Sequence, residues 1–330
     1  MYKIIQKRKI WLSISSLLVV TSIVFLAMWG LNFGIDFTGG SLLEIRFTKD
    51  VVNVEEVQES LAPLELSSLI IQPTESNTII LRFQENTEEV HQEIISKLNE
   101  LVKPEEVANS EESEDGLIVT SQDGSEVDVV GVTTSEDNKI EELRFDSIGP
   151  SIGKELKNKA FNAMIIVLGI IILFIAIAFR KVSKPVASWK YGLSAIIALF
   201  HDVLITLGIF SVLGYFYGIE INTPFVAAIL TVLGYSVNDT IVVFDRIREN
   251  LPKSEMDFEN TINVSVNQTL TRSINTSLTT LLVLLSILFW GGDTIRDFVL
   301  ALSIGVLVGT YSSIFLASPL LVVWEKLKKN

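Results

Sequence analysis

Apolar residues gather into six long runs, at 10–31, 160–179, 192–215, 222–244, 273–290 and 298–323. Runs of about 18 to 26 residues cross a hydrocarbon core of roughly 30 Å with some tilt, so the pattern predicts six membrane-spanning helices. Between the first two runs the period changes. Leu43, Ile45 and Phe47 alternate within 41–47, which reads as a strand. The stretch 54–61 reads as a helix, 68–72 and 78–83 as strands, 90–101 as an amphipathic helix and 143–148 as a closing strand. Strand, helix, strand, strand, helix, strand is the split βαβ order of a ferredoxin-like domain. The predicted fold class is therefore an α-helical membrane protein of six transmembrane helices, with a small α+β ferredoxin-like domain between helices one and two. The expected boundaries are 1–31 for the amino terminus and first helix, 32–157 for the α+β domain, 158–323 for the remaining helices and 324–330 for the tail.

Charge orients this arrangement. The formal net charge is −13, but residues 44–146 hold 26 acidic against 7 basic side chains, so the remainder is net basic. Cationic clusters stand at Lys3/Lys7/Arg8/Lys9, Arg180/Lys181/Lys184/Lys190, Arg246/Arg248/Lys253 and Lys326/Lys328/Lys329. If every helix crosses once, these fall on one side, which the positive-inside rule makes cytoplasmic. Both termini are then expected inside and the α+β domain outside, extracytoplasmic. An acidic insertion at about 103–139 contains Glu111-Glu-Ser-Glu-Asp115 and suggests a hairpin, 117–121 and 126–130, around Asp123-Gly124. Such a segment is most simply a solvated decoration. Nucleic acid is not an expected partner, because its phosphates would be repelled. The basic start and apolar first run also resemble a signal peptide. Phe33-Gly-Ile-Asp36 follows where a small-residue cleavage site would stand, which favours a retained helix.

Catalytic signatures are missing. There is no cysteine, and with it go disulfides, thiolate metal sites and thiol nucleophiles. No His-Glu-x-x-His, Gly-x-Ser-x-Gly or phosphate-cradling Gly-x-x-x-x-Gly-Lys occurs. Neither enzyme activity nor a cofactor or metal is expected. The chemistry lies instead in polar residues within the spans, where an ionisable group costs several kcal/mol unless paired or hydrated. In the fourth run Thr231, Gly234, Asn238 and Asp245 recur at helical spacing, with Asp239 beside them, about 25 Å into the helix. In the fifth, Arg272, Asn275, Thr276 and Thr279 form a second polar stripe. The third carries His201-Asp202. Asp239 and Arg272 are candidates for a proton pathway with Asn238, Asp202 and His201. The alternatives are an ion pair that locks two helix ends, and a histidine that only hydrogen-bonds a neighbouring helix. In the sixth run Ala301, Gly305, Gly309, Ser313 and Ala317 place a small residue at every fourth position, a packing ridge. Gly34, Gly39 and Gly40 before the α+β domain, with Gly149, Pro150 and Gly153 after it, suggest either a hinge or two tight turns at a rigid junction.

Several of these segments form longer motifs: Phe33-Gly-Ile-Asp-Phe-Thr-Gly-Gly40, which includes Asp36, Ile148-Gly-Pro-Ser-Ile-Gly153, Ala198-Leu-Phe-His-Asp-Val203, Gly234-Tyr-Ser-Val-Asn-Asp-Thr-Ile-Val-Val-Phe-Asp-Arg246 and Thr269-Leu-Thr-Arg-Ser-Ile-Asn-Thr-Ser277. In this order they resemble the SecF family, membrane subunits of the bacterial and archaeal preprotein translocase within the RND superfamily. The resemblance implies half of an RND-type bundle that pairs with SecD, associates with the SecY channel and with translocating preprotein in the lipid of the plasma membrane, and uses the proton gradient to promote protein export. Asp239 would then take up and release the proton while Arg272 sets its affinity. A structural subunit without proton transport, or an exporter of small molecules or lipids, remains the alternative.

Overall fold

The computed structural model describes residues 1–48, 53–74, 77–85, 87–102, 140–178 and 187–329. The acidic insertion with its expected hairpin lies outside the described residues, as do Arg180, Lys181 and Lys184. The chain divides into two units, one formed by Met1–Thr38 with Ser151–Asn330 and the other by Gly39–Pro150.

Six helices of the first unit are long and apolar enough to cross a membrane. They are α1 (Arg8–Trp29), α5 (Pro150–Ala178), α6 (Ser188–Tyr217), α7 (Thr223–Asn250), α8 (Phe258–Trp290) and a last span formed by α9 (Asp293–Ser312), a π turn at Ser313–Ala317 and α10 (Ser318–Lys329). A single short turn, α2 (Ile35–Thr38), follows α1. Helix α5 starts at proline, whose missing amide is no loss at a first helical position. The apolar run 273–290 is only the second half of α8, whose first turns are polar and bury Thr261, Asn263 and Ser265. Those turns receive the amino-terminal segment. Asn263 Oδ1 accepts from the amides of Ile4 and Ile5 at 3.0 and 3.1 Å, and Glu259 pairs with Arg8 and with Lys326.

The spans α6, α7 and α9–α10 bury the largest share of their surface, while α1, α5 and α8 are mostly exposed. Close approach at the centre depends on missing side chains. A Cβ at Gly305 of α9 would collide with Val232 of α7, and one at Gly309 would lie 2.9 Å from Ser236 Cβ. In lipid, where apolar bulk gives no drive to associate, such contact supplies dispersion energy that larger residues would forfeit. Gly208 of α6 meets Ser22 of α1 in the same way.

The second unit contains β1 (Gly40–Phe47), α3 (Val54–Leu61), β2 (Ile70–Thr74), β3 (Thr78–Phe83), α4 (Glu88–Val102) and β4 (Ile140–Ile148). Its sheet runs β2-β3-β1-β4 with every neighbouring pair antiparallel, the ferredoxin-like order. Leu43, Ile45 and Phe47 of β1 join Ile79, Leu81 and Phe83 of β3 in one core, which Val57 and Leu61 of α3 and Ile94 and Leu98 of α4 close. The sequence signal for α3 is visible at its cap: Asn53 accepts from the Glu55 amide at 3.3 Å.

Candidate functional site

A carboxylate sits at the centre of the bundle with no surface exposed. Asp202 of α6 accepts from the Ser236 hydroxyl of α7 at 2.5 Å and from the Ser312 hydroxyl of α9 at 2.8 Å, both on Oδ2. Its Oδ1 lies 2.9 Å from Nδ1 of His201, which is itself buried and stacks on Tyr311. Three helices thus meet on one acceptor. A carboxyl group is tolerated in such a place only when its polar atoms are hydrogen-bonded in this manner.

One residue further along the last span the helix widens into the π turn. Ser313, its first residue, bonds the Gly309 carbonyl at 2.9 Å and the Thr240 hydroxyl at 2.9 Å. π turns break the regular ladder and concentrate at functional positions. Here the wide turn faces the same stretch of α7 that carries Asp239. Asp239 Oδ1 accepts from Ser273 of α8 at 2.6 Å. Its Oδ2 is buried and has no hydrogen-bond partner among the described residues. Hydroxyls thus gather in two places: Ser236 and Ser312 on Asp202, with the Ser313–Thr240 pair behind Ser236, and Ser273 on Asp239. The π turn and these serines are not legible in the sequence, because a serine among apolar residues looks the same whether it bonds its own helix or a neighbour.

Arg272 precedes Ser273 on α8, and its side chain is exposed; it forms no salt bridge with Asp239 among the described residues. Asn238 is exposed as well. Two polar faces stay open in this chain: Thr231, Gly234 and Asn238 on α7, and Arg272, Asn275, Thr276 and Thr279 on α8. Among the described residues no three His, Asp or Glu side chains converge as a metal would require.

The glycine-rich segment after α1 has a geometry of its own. Gly39 and Gly40 have φ of +77° and +117°, which side chains resist. A Cβ on Gly39 would lie 2.8 Å from Pro150 Cα, and one on Gly40 would lie 2.6 Å from the Phe83 carbonyl oxygen. Gly40 pairs with Ile148 of β4, and Gly149 links that strand to Pro150. Gly34 owes its identity to closeness instead, since a Cβ there would meet Glu220 Oε2 at 2.9 Å. Asp36 has a task that spacing does not reveal: its Oδ2 accepts from the backbone amide of Thr223, the first residue of α7, at 2.7 Å.

The arrangement has counterparts. A family model described as the carboxy-terminal part of the protein-export membrane proteins SecD and SecF matches residues 129–327, and a SecD/SecF GG-motif model matches residues 24–51. The chain is 41% identical to the protein translocase subunit SecF of Thermobaculum terrenum, over 98% of this chain and 94% of that one. It is 37% identical to the SecF subunit of Anaerolinea thermophila, with the same two coverages. A crystal structure of SecDF from Thermus thermophilus, described as a translocon-associated membrane protein, superposes with a TM-score of 0.76 at 32% identity, over 98% of this chain and 39% of that longer one.

Proposed function

The chain belongs to the SecD/SecF family of protein-export membrane proteins, and from that premise we propose that it acts as the SecF-type half of a proton-driven export unit. It is a multi-pass membrane protein. Within it Asp239 takes up and releases the proton, and the observation that carries this reading is the state of its carboxylate. One oxygen is held by Ser273 and the other is buried with no partner among the described residues. Burial favours the neutral form of a carboxyl group and a nearby guanidinium favours the charged form. Arg272 stands beside Ser273 on the same helix, so a small rotation of α8 changes both influences on Asp239 together. A charge that crosses the whole membrane field gains about 2.3 kcal/mol per 100 mV, enough to bias a conformational step to which protonation is coupled.

The partner in this reading is a SecD-type half. It would cover the open polar faces of α7 and α8, which lipid solvates poorly. The similarity to a single SecDF chain that spans both names supports it. The SecY channel and the translocating preprotein complete the assembly. The distribution of basic residues supports cytoplasmic termini and an extracytoplasmic α+β unit in the plasma membrane of a prokaryote. The insertion at about 103–139 is proposed as part of that exposed unit.

A static role has one observation in its favour. Asp202 is fully satisfied by hydroxyls and the histidine, as a group that only locks helices together would be. Preprotein export into membrane vesicles, with and without an imposed proton gradient, separates the two. The export reading requires a response to the gradient that Asp239→Asn abolishes.

A further inference from the structure

The first turn of a helix presents amides with no partner inside the helix, and α7 satisfies its own unequally. Phe225 is served by the side chain of the cap, Asn222, at 3.1 Å, and Pro224 has no amide to serve. Val226 bonds the Asn222 carbonyl. That leaves Thr223, whose amide donates to Asp36. Thr223 is exposed, and water would satisfy it there. An acid 187 positions away does more than water. It adds a charge-assisted bond at the positive end of the helix dipole and ties two distant parts of the chain.

The tie is reinforced around it. The Ile221 amide donates to the Asn32 carbonyl at 2.7 Å, the Gly34 amide donates to the Ile221 carbonyl at 2.9 Å, and Asn32 Nδ2 reaches the Gly218 carbonyl at 3.2 Å. Phe37 is buried among Phe210, Phe225, Ala228 and Ile229. The one-turn helix α2 is thereby attached to the start of α7. Three residues after Asp36 the chain passes into the second unit at Gly39, whose positive φ and close approach to Pro150 constrain the backbone there.

We propose that Asp36 is a positioning residue that transmits displacement of α7 to the segment leading into β1. This rests on the reading of Asp239 as the proton site, because Asp239 stands on the same helix, about 24 Å along its axis at 1.5 Å per residue. A shift or rotation of α7 that follows protonation moves Thr223, and the hydrogen bond from Thr223 to Asp36 carries that movement to Thr38 and Gly39. Without the bond the contacts of Asn32, Gly34 and Phe37 still hold the segment in place, but α2 follows the first turn of α7 only weakly.

The test uses the full chain reconstituted with its translocase in vesicles, with export measured with and without a proton gradient. Asp36→Ala removes the acceptor. Thr223→Pro removes the donor while leaving Asp36 in place, and proline suits the first turn of a helix. Each is expected to lose most of the gradient-dependent stimulation, about threefold or more, while gradient-independent export stays near wild type. The double variant should be no worse than either single one, as two ends of one interaction require. Asp36→Asn keeps an acceptor oxygen and should restore most of the response. A wild-type response in either Asp36→Ala or Thr223→Pro overturns the proposal, and so does an Asp36→Asn variant as impaired as Asp36→Ala. If Asp36→Ala fails to accumulate in the membrane, Thr223→Pro carries the decision. Asp239→Asn assayed beside them separates the two ideas. Loss in Asp239→Asn alone removes the coupling, and loss in the Asp36 and Thr223 variants alone removes the proton site and leaves the coupling.

Discussion

The Ser273 hydroxyl donates to Asp239 Oδ1 at 2.6 Å and so joins α8 to α7 at the carboxylate proposed to carry the proton. Ser273 is buried, so its hydroxyl is not simply exchanged for bulk water when it is removed. Ser273→Ala should cost about 1–3 kcal/mol, the range for leaving a buried acceptor unpaired, visible as a lower thermal midpoint of the purified protein. An unchanged midpoint would mean that the bond contributes nothing to the native state.

Asp202 predicts a different pattern. Its acceptor oxygens gather Ser236, Ser312 and His201, so Asp202→Ala orphans several buried groups at once and should destabilise on the order of 3 kcal/mol or more. Asp202→Asn keeps one oxygen for the two serines and should cost less than half as much. Thermal unfolding of both variants measures this. Equal losses would show that the charge, not the serine clamp, holds the three helices.

The packing ridge of α9 is tested by two substitutions on its opposite faces. Gly309→Leu drives a side chain into Ser236 and should lower stability by about 1–3 kcal/mol. Leu307 is 60% exposed, and Leu307→Ile should change stability by less than about 0.5 kcal/mol. Equal midpoints for the two would remove the ridge from the packing account.

Two glycines, one at the end of α1 and one at the start of β1, separate conformational strain from collision. Gly30 has φ +67° and ψ −158° and nothing within 4 Å of where a Cβ would stand, so Gly30→Ala should cost only the backbone term of about 1–3 kcal/mol. Gly40→Ala adds a contact 2.6 Å from the Phe83 carbonyl and should be clearly worse. Thermal midpoints of the two variants, with limited proteolysis of the second unit beside them, read the difference. Equal losses would mean that the collision at Phe83 is relieved at no cost.

Much of the architecture is legible in the sequence. The six spans follow from run length, and the ferredoxin-like order follows from alternation at Leu43, Ile45 and Phe47 and the change to helical period after Asn53. The polar half of α8 is not visible there, because it is held against the amino-terminal segment through Asn263 rather than through apolar residues alone. Asp239 and Asp202 stand out as acids in apolar surroundings. Their serine partners do not, since hydroxyls on different elements converge only in three dimensions. Asp36 is legible as part of a signature but not as a partner of α7, because local spacing carries no trace of a contact 187 residues away.

Orientation has a direct test. Basic loops predict that the exposed Glu59 of α3 and Glu255 of the α7–α8 connection lie on opposite sides of the membrane. Single cysteines at these positions, in a chain with none of its own, should react with an impermeant thiol reagent from outside only at position 59. Reaction of both from outside would contradict the six-span orientation.

The measurement that bears most directly on function is export by Asp239→Asn in vesicles, with the variant folded and assembled as the wild type is. Gradient-independent export is expected to continue while stimulation by an imposed proton gradient disappears. Arg272→Lys should be intermediate, because lysine keeps the charge without the planar fork. Asp239→Asn vesicles that still accelerate export when the gradient is applied would contradict the assignment of Asp239 as the proton-carrying residue.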